Sequence, residues 1–437
     1  MISSNGNDLY IGNIAVTQLV EKYGEPLYAY DLEVIQKQYE RLRAALPDQI
    51  EVFYSMKANP NVSIVAFLQN LCQGAEVSSL RELYVAREAK FSPDRILFVG
   101  PSKSEEEITE AIRQELFCLV VESSQELLLA DKIAKVEGKV VNVAVRINPA
   151  FDAAGSKLKM GGSARQFGID EEGIEPVLRL ATELHNVRLV GIHVYLGTRI
   201  LNQEVAWKNT KYVLDLGKRL KQETGVPLKV IDFGGGLGVP YFTGETDLDL
   251  EEFGRSFREY FSDYYDPSEQ MRFVLEAGRF LVAESGVYVT RARYAKESRG
   301  QQFVLVSGGM NHHQATTSIG TLVKNHFPME VLNKMNWPKD RQVQVCGPLC
   351  TPSDVLGKSV FMPEVEPGDL IGLLKSGAYG LTASPVNFLS HAHPAEVMVY
   401  KGQDYLIRQP STTEDVLRGQ VLELVSPIEE KALASKF

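Results

Sequence analysis

From residue 51 onward, short apolar runs alternate with longer segments whose apolar residues recur every three or four positions. The runs have the length and the β-branched and aromatic content of strands. The spaced segments have the period of amphipathic helices. Eight strands are predicted, at 51–55, 75–79, 95–99, 118–122, 141–148, 189–196, 230–233 and 272–276. Helical patterns separate most of them, as at 78–89, 105–114, 124–135 and 171–183. Alternating strands and helices argue for a parallel sheet. Eight repeats within about 230 residues fit a closed (β/α)8 barrel.

Before the repeats come a short strand at 27–31 and an amphipathic helix at 32–46. After Arg279 the pattern changes. Strands are predicted at 287–294, 302–307, 370–374, 396–400 and 420–424 with few helices between them, the mark of a mostly antiparallel β domain that the N-terminal strand can join. The expected division is a barrel over 26–280 and a β domain built from 1–25 and 281–437. A chain of 437 residues is long enough to need more than one core.

Composition narrows the function. A hydrophobic share of 44% and a charged share of 23% belong to a soluble globular protein. No apolar run is long enough to span a bilayer. The opening MISSNGNDLY lacks the basic and apolar regions of a signal peptide. Four cysteines in so long a chain make no disulfide framework, and Cys346 and Cys350 lack a His/Cys cluster for zinc. A reducing cytoplasm is the expected compartment. The net charge of −10 argues against a nucleic-acid partner.

Candidate chemistry gathers at the strand ends, where barrel enzymes place it. Lys57 follows the first strand; alone it reads more readily as a solvated loop lysine, and the rest of the chain reverses that. Gly234, Gly235 and Gly236 follow the seventh strand, either as an anion cradle or as a tight turn. Glu276, Gly278 and Arg279 close the eighth strand; the carboxylate suits a buried ring nitrogen and the guanidinium a carboxylate, unless the two simply pair with each other. His193 and Tyr195 share one face of the sixth strand and offer rings to stack on a planar cofactor, or a core histidine. Cys350 lies in the turn-rich GPLCTPSD, and Tyr379 in GAYG is placed to aim a phenol at a phosphate. Met310-Asn311-His312-His313 is not read as a metal site, because adjacent histidines on a strand point apart and no acid stands at ligand spacing.

Taken in order, YSMKAN, EVSSLREL, HVYLGT, DFGGGLG, EAGR, GPLCTPSD and GAYG resemble the pyridoxal-phosphate decarboxylases of the alanine-racemase-like fold, such as diaminopimelate and ornithine decarboxylases. The resemblance covers nearly the whole chain. It implies pyridoxal 5′-phosphate as cofactor and Lys57 as its Schiff-base lysine. It implies a phosphate loop at Gly234, Gly235 and Gly236, helped by Thr198 and Tyr379, and Glu276 as the acid at the ring nitrogen. Ser79, His193, Tyr195, Gly278 and Arg279 join them as cofactor contacts. Cys350 matches a proton donor that reaches in from a second subunit, so a homodimer is implied. Arg279, Cys350, Thr351, Asp354 and Tyr379 are the implied substrate contacts.

Departures from the pattern bear on substrate. Tyr195 stands where the family has a stacking histidine, and Ala277 replaces a proline. Thr351 replaces the acid that diaminopimelate decarboxylases aim at a distal ammonium. Phe327-Pro328 stand for an arginine-proline pair that holds a distal carboxylate. The variants GGMNHH, KMGGSARQFGID and GPLCTPSDVLG resemble a biosynthetic-cluster subgroup that includes the butirosin-pathway decarboxylase of a glutamyl group on an acyl carrier protein. The resemblance thus implies a carrier-bound glutamyl substrate, with free diaminopimelate or another free amino acid as the alternative. Racemization and a catalytically silent partner protein stand further off. Lys157, Lys159 and Arg165 form a candidate basic patch for an acidic carrier protein, or a solvated loop.

Overall fold

Most of the longer helices begin on a side chain able to accept a backbone N–H. Asp31, Asn61, Ser79, Ser104, Ser123, Asn202 and Asp249 cap the helices that follow them. The computed structural model describes residues 2–150, 164–317 and 326–423, together with the backbone of Leu158–Lys159. Eight parallel strands stand between the capped helices: β1 Ile50–Ser55, β2 Gly74–Val77, β3 Ile96–Phe98, β4 Cys118–Val121, β5 Val141–Asn148, β6 Val187–Val194, β7 Val230–Asp232 and β8 Arg272–Ala277. Each pairs with the next, and β8 pairs with β1, so the sheet closes as predicted. Alternation along β1 sorts the core. Phe53 points into the lumen with Leu97, Val120 and Val274, while Val52 and Tyr54 pack under the helices.

Three expectations need correction. The second strand ends at Val77, because Ser78 and Ser79 turn into the next helix. Leu27–Asp31 joins the β domain as its pattern allowed, pairing there with Gly286–Ser298 and Ala395–Tyr400, so the boundary placed at residue 26 falls too early. The strand expected at 420–424 does not form. Glu414–Leu417 make a single 3₁₀ turn, residues 418–423 run on without a strand partner, and Leu424 lies outside the described residues.

The β-domain sheet is mostly antiparallel, with parallel pairs at Leu27–Asp31 against Ala395–Tyr400 and at Gln301–Val306 against Arg341–Cys346. It is tied to the end of β1. Tyr379 N–H donates to the Ala58 carbonyl at 2.8 Å and Asn59 Nδ2 to the Gly377 carbonyl at 3.1 Å. Asn61 Nδ2 donates to Glu396 at 2.9 Å. These bonds bring the GAYG turn over the barrel mouth. Among the described residues, no helix is long and apolar enough to cross a membrane.

Candidate active site

Lys57 sits in a 3₁₀ turn, Met56–Ala58, that continues β1 at the barrel rim. Its Nζ lies 3.1 Å from Glu76 Oε1 and 3.0 Å from Oε2. Glu76 is buried on the neighbouring β2, and its Oε1 also accepts from Ser78 Oγ. Burial works against the charge on Lys57, but the Glu76 and Glu276 carboxylates outweigh it and hold the amine above its ordinary range. The amine also lies 5.6 Å from the centre of the Tyr195 ring.

Around that amine is a cavity lined by Lys57, Tyr195, Thr198, Gly235, Gly236, Glu276, Gly278, Arg279 and Tyr379, with Ser55, Leu237, Ala277 and Phe280. Gly234 turns the chain with φ +61°, its N–H donating to Asp232 at 2.8 Å. A Cβ on Gly235 would stand 2.6 Å from the Glu276 carbonyl oxygen, and one on Gly236 2.3 Å from that of Gly197. Only glycine fits this turn. Arg279 donates to Tyr241 Oη at 3.0 Å and lies over the Tyr379 ring at 4.5 Å, while its buried Nε has no partner. Burial pushes the Tyr379 phenol up to about 12, against the opposing pull of Lys57 and Arg279. Tyr379 takes this position with φ +54°.

The floor is acidic. Burial opposes ionisation of Glu276, but its hydrogen bond from His193 and the Lys57 charge outweigh it and hold the carboxyl below its ordinary range. Asp232 goes the other way: burial, then the Glu276 charge, hold it well above the carboxylate range.

Other candidates fall outside the cavity. Ser79 Oγ accepts the Glu82 N–H as a helix cap. His193 is buried against Glu276, so Tyr195 is the ring that faces Lys57. Cys350 is exposed, and Thr351 hydrogen-bonds Ser353. Asp354 is buried and accepts from the Met310 and Leu349 N–H groups, so its carboxylate braces its own loop instead of facing a ligand. His312 bonds Tyr288 and the Ala392 carbonyl, and His313 bonds Ser376, both inside the β-domain core. Lys157 and the Lys159 side chain lie outside the described residues. Sequence reading missed Glu76 and Asp232. The available signal was a carboxylate inside a fully buried strand, in GAEV and in VID.

The site fits pyridoxal phosphate: an amine on one side, a glycine turn and a guanidinium with an unpartnered Nε on another, and a charged carboxylate on the floor. Residues 32–283 match the family model described as pyridoxal-dependent decarboxylase, pyridoxal binding domain. The chain is 38% identical to the L-glutamyl-[BtrI acyl-carrier protein] decarboxylase of Niallia circulans, over 93% of this chain and 96% of that one. It is 31% identical to the diaminopimelate decarboxylase of Aquifex aeolicus, over 92% and 93%. The crystal structure of diaminopimelate decarboxylase from M. jannaschii superposes with a TM-score of 0.88 at 28% identity, covering 97% of this chain and 98% of that one. This chain therefore belongs to the pyridoxal-phosphate-dependent decarboxylases, with the barrel and antiparallel β domain of that family.

Proposed function

We propose that the chain removes the α-carboxylate of an L-amino acid whose far end is a neutral tether, with the glutamyl thioester of an acyl carrier protein as substrate. The observation that carries this reading is the state of Asp354. It is the one acid in loop 347–354, and its two oxygens already accept N–H groups, from Met310 at 2.7 Å and Leu349 at 2.8 Å. Thr351 beside it is neutral. A distal ammonium meeting this loop finds no uncommitted carboxylate. Phe327 is buried and stacked on Tyr241 at 4.4 Å, so the ring at this position brings no charge to a distal carboxylate. Charged heads left unpaired in this way discriminate strongly against a substrate. The similarity to the Niallia circulans enzyme supports the same reading. Diaminopimelate is the second reading, favoured by the relatives and solved structures that carry that name.

When bound, pyridoxal phosphate supplies the electron sink for loss of carbon dioxide. The chain supplies the rest. Lys57 would hold the cofactor and leave it free to meet a substrate amine. Gly235, Gly236, Thr198, Arg279 and Tyr379 would hold the phosphate. Tyr195 would pack on the ring, and Glu276 would offer its charge to a protonated ring nitrogen. Cys350 delivers a proton to the α-carbon. Cys350 is exposed and outside the Lys57 cavity of its own chain, which supports its delivery from the second subunit of a homodimer. Unbridged cysteines suit a cytoplasmic setting.

Mass spectrometry after incubation with glutamyl-loaded carrier protein, and separately with meso-diaminopimelate, tests the substrate. Loss of carbon dioxide is expected from the first, and slowed loss in Cys350→Ala. Release from free diaminopimelate alone would overturn the carrier reading, and unchanged turnover in Cys350→Ala would remove that thiol from the reaction.

A further inference from the structure

The cavity floor rests on three side chains from three neighbouring strands. Glu276 on β8 faces the cavity, with His193 on β6 and Asp232 on β7 beside it. All three are at most 2% exposed. One ligating atom from each lies within 4.8 Å of the other two. His193 Nε2 is 3.2 Å from Glu276 Oε1. An ionised carboxylate only accepts, so Nε2 carries the hydrogen. The opposite nitrogen, Nδ1, is buried and has no partner. Asp232 Oδ1 accepts from the Gly234 N–H, while Oδ2 is buried without a partner.

Two buried carboxylates this close do not both ionise. The imidazole donor is spent on Glu276, and the Lys57 and Arg146 charges favour the same group. Asp232 faces Glu276 and Glu76, which disfavour its charge, with Lys57 opposing them. An unpartnered buried carboxylate oxygen is costly when charged and far less so in a neutral acid.

We propose that His193 is a positioning residue. Its Nε2–H clamps one oxygen of Glu276 and leaves the rest of that carboxylate turned to the cavity, while Asp232 beside it carries a proton and no charge. The clamp fixes where the cofactor's ring nitrogen finds its anion. The inference rests on reading the cavity as the pyridoxal phosphate site.

The test compares wild type, His193→Leu and His193→Gln as apoproteins. Pyridoxal phosphate affinity is measured by equilibrium titration, the pH dependence of the bound cofactor's absorption by spectroscopy, and folding by thermal melting. Losing a charge-assisted donor predicts affinity weaker by about tenfold or more in His193→Leu. Without its donor Glu276 protonates more readily, so the absorption transition moves to higher pH. His193→Gln keeps an N–H at the same reach and restores both. A folded His193→Leu protein with wild-type affinity and pH dependence overturns the clamp, as does a Gln variant as impaired as Leu. If His193→Leu fails to fold, the infrared spectrum of wild type at neutral pH decides. A protonated-carboxyl band that disappears in Asp232→Asn is expected, and its absence from wild type overturns the assignment. Wild-type protein that takes up no pyridoxal phosphate defeats the cofactor reading instead.

Discussion

At the residue scale, the pairing of Lys57 with Glu76 decides how the amine behaves. An amine held above its ordinary range is a protonated amine at neutral pH, and a protonated amine does not attack an aldehyde. Glu76 therefore stabilises the empty site and slows cofactor capture. Glu76→Gln should lower the amine toward its ordinary range and speed uptake of pyridoxal phosphate by apoprotein at neutral pH, about tenfold for each unit recovered. Stopped-flow absorbance reads that rate; an unchanged rate would mean that Glu76 does not govern the lysine. The sequence marked Lys57 through its place at a strand end. It could not mark Glu76 in the same way, because nothing local in GAEV points its carboxylate at Lys57. Its meaning comes from β1 and β2 lying side by side, a contact 19 residues apart in the chain.

At the element scale, the barrel was legible and part of the β domain was not. Barrel strands are buried on both faces and read as continuous apolar runs. Val141–Asn148 matches its predicted bounds, its β-branched residues recurring along the strand between Asn142, Arg146 and Asn148. The missed strands carry weaker patterns. Gln403–Arg408 is a polar strand at the sheet edge with no fully buried residue, and Val355–Met362 is interrupted by Gly357 and by Ser359 at φ +58°. The segment at 420–424 alternates like a strand, yet Val421 and Leu422 are exposed and nothing pairs with them. The loop 347–354 was recognised from its composition, but the role of Asp354 was visible only in three dimensions. Asp354→Asn removes an acceptor from a buried N–H, at a cost of about 1–3 kcal/mol. A lower melting temperature and faster limited proteolysis within 347–354 are expected. Unchanged values would show that the loop holds its shape without that carboxylate.

At the scale of the whole molecule, the β domain is fastened by neutral histidines. Burial lowers the His312 imidazole to about 4 and that of His313 to about 3. Both lie below the unfolded value near 6.5, so the fold favours the uncharged rings. Their contribution is complete above about pH 6.5 and drains away as pH falls toward 4, by about 3 kcal/mol for each ring. Thermal unfolding followed from pH 7.5 to 4.5 should show the loss, with a shallower slope in His312→Gln. Equal slopes would contradict the assignment. These rings pack against Tyr28 and Tyr288, beside the Ser376 to Tyr379 turn that reaches the barrel mouth, so acid should loosen the fit between domains that the site depends on.

The most direct test is chemical. Apoprotein is loaded with pyridoxal phosphate, fixed with borohydride, digested and mapped by mass spectrometry. One cofactor adduct per chain on the peptide holding Lys57, absent from Lys57→Ala, is the predicted result; an adduct on another lysine, or none, would contradict it.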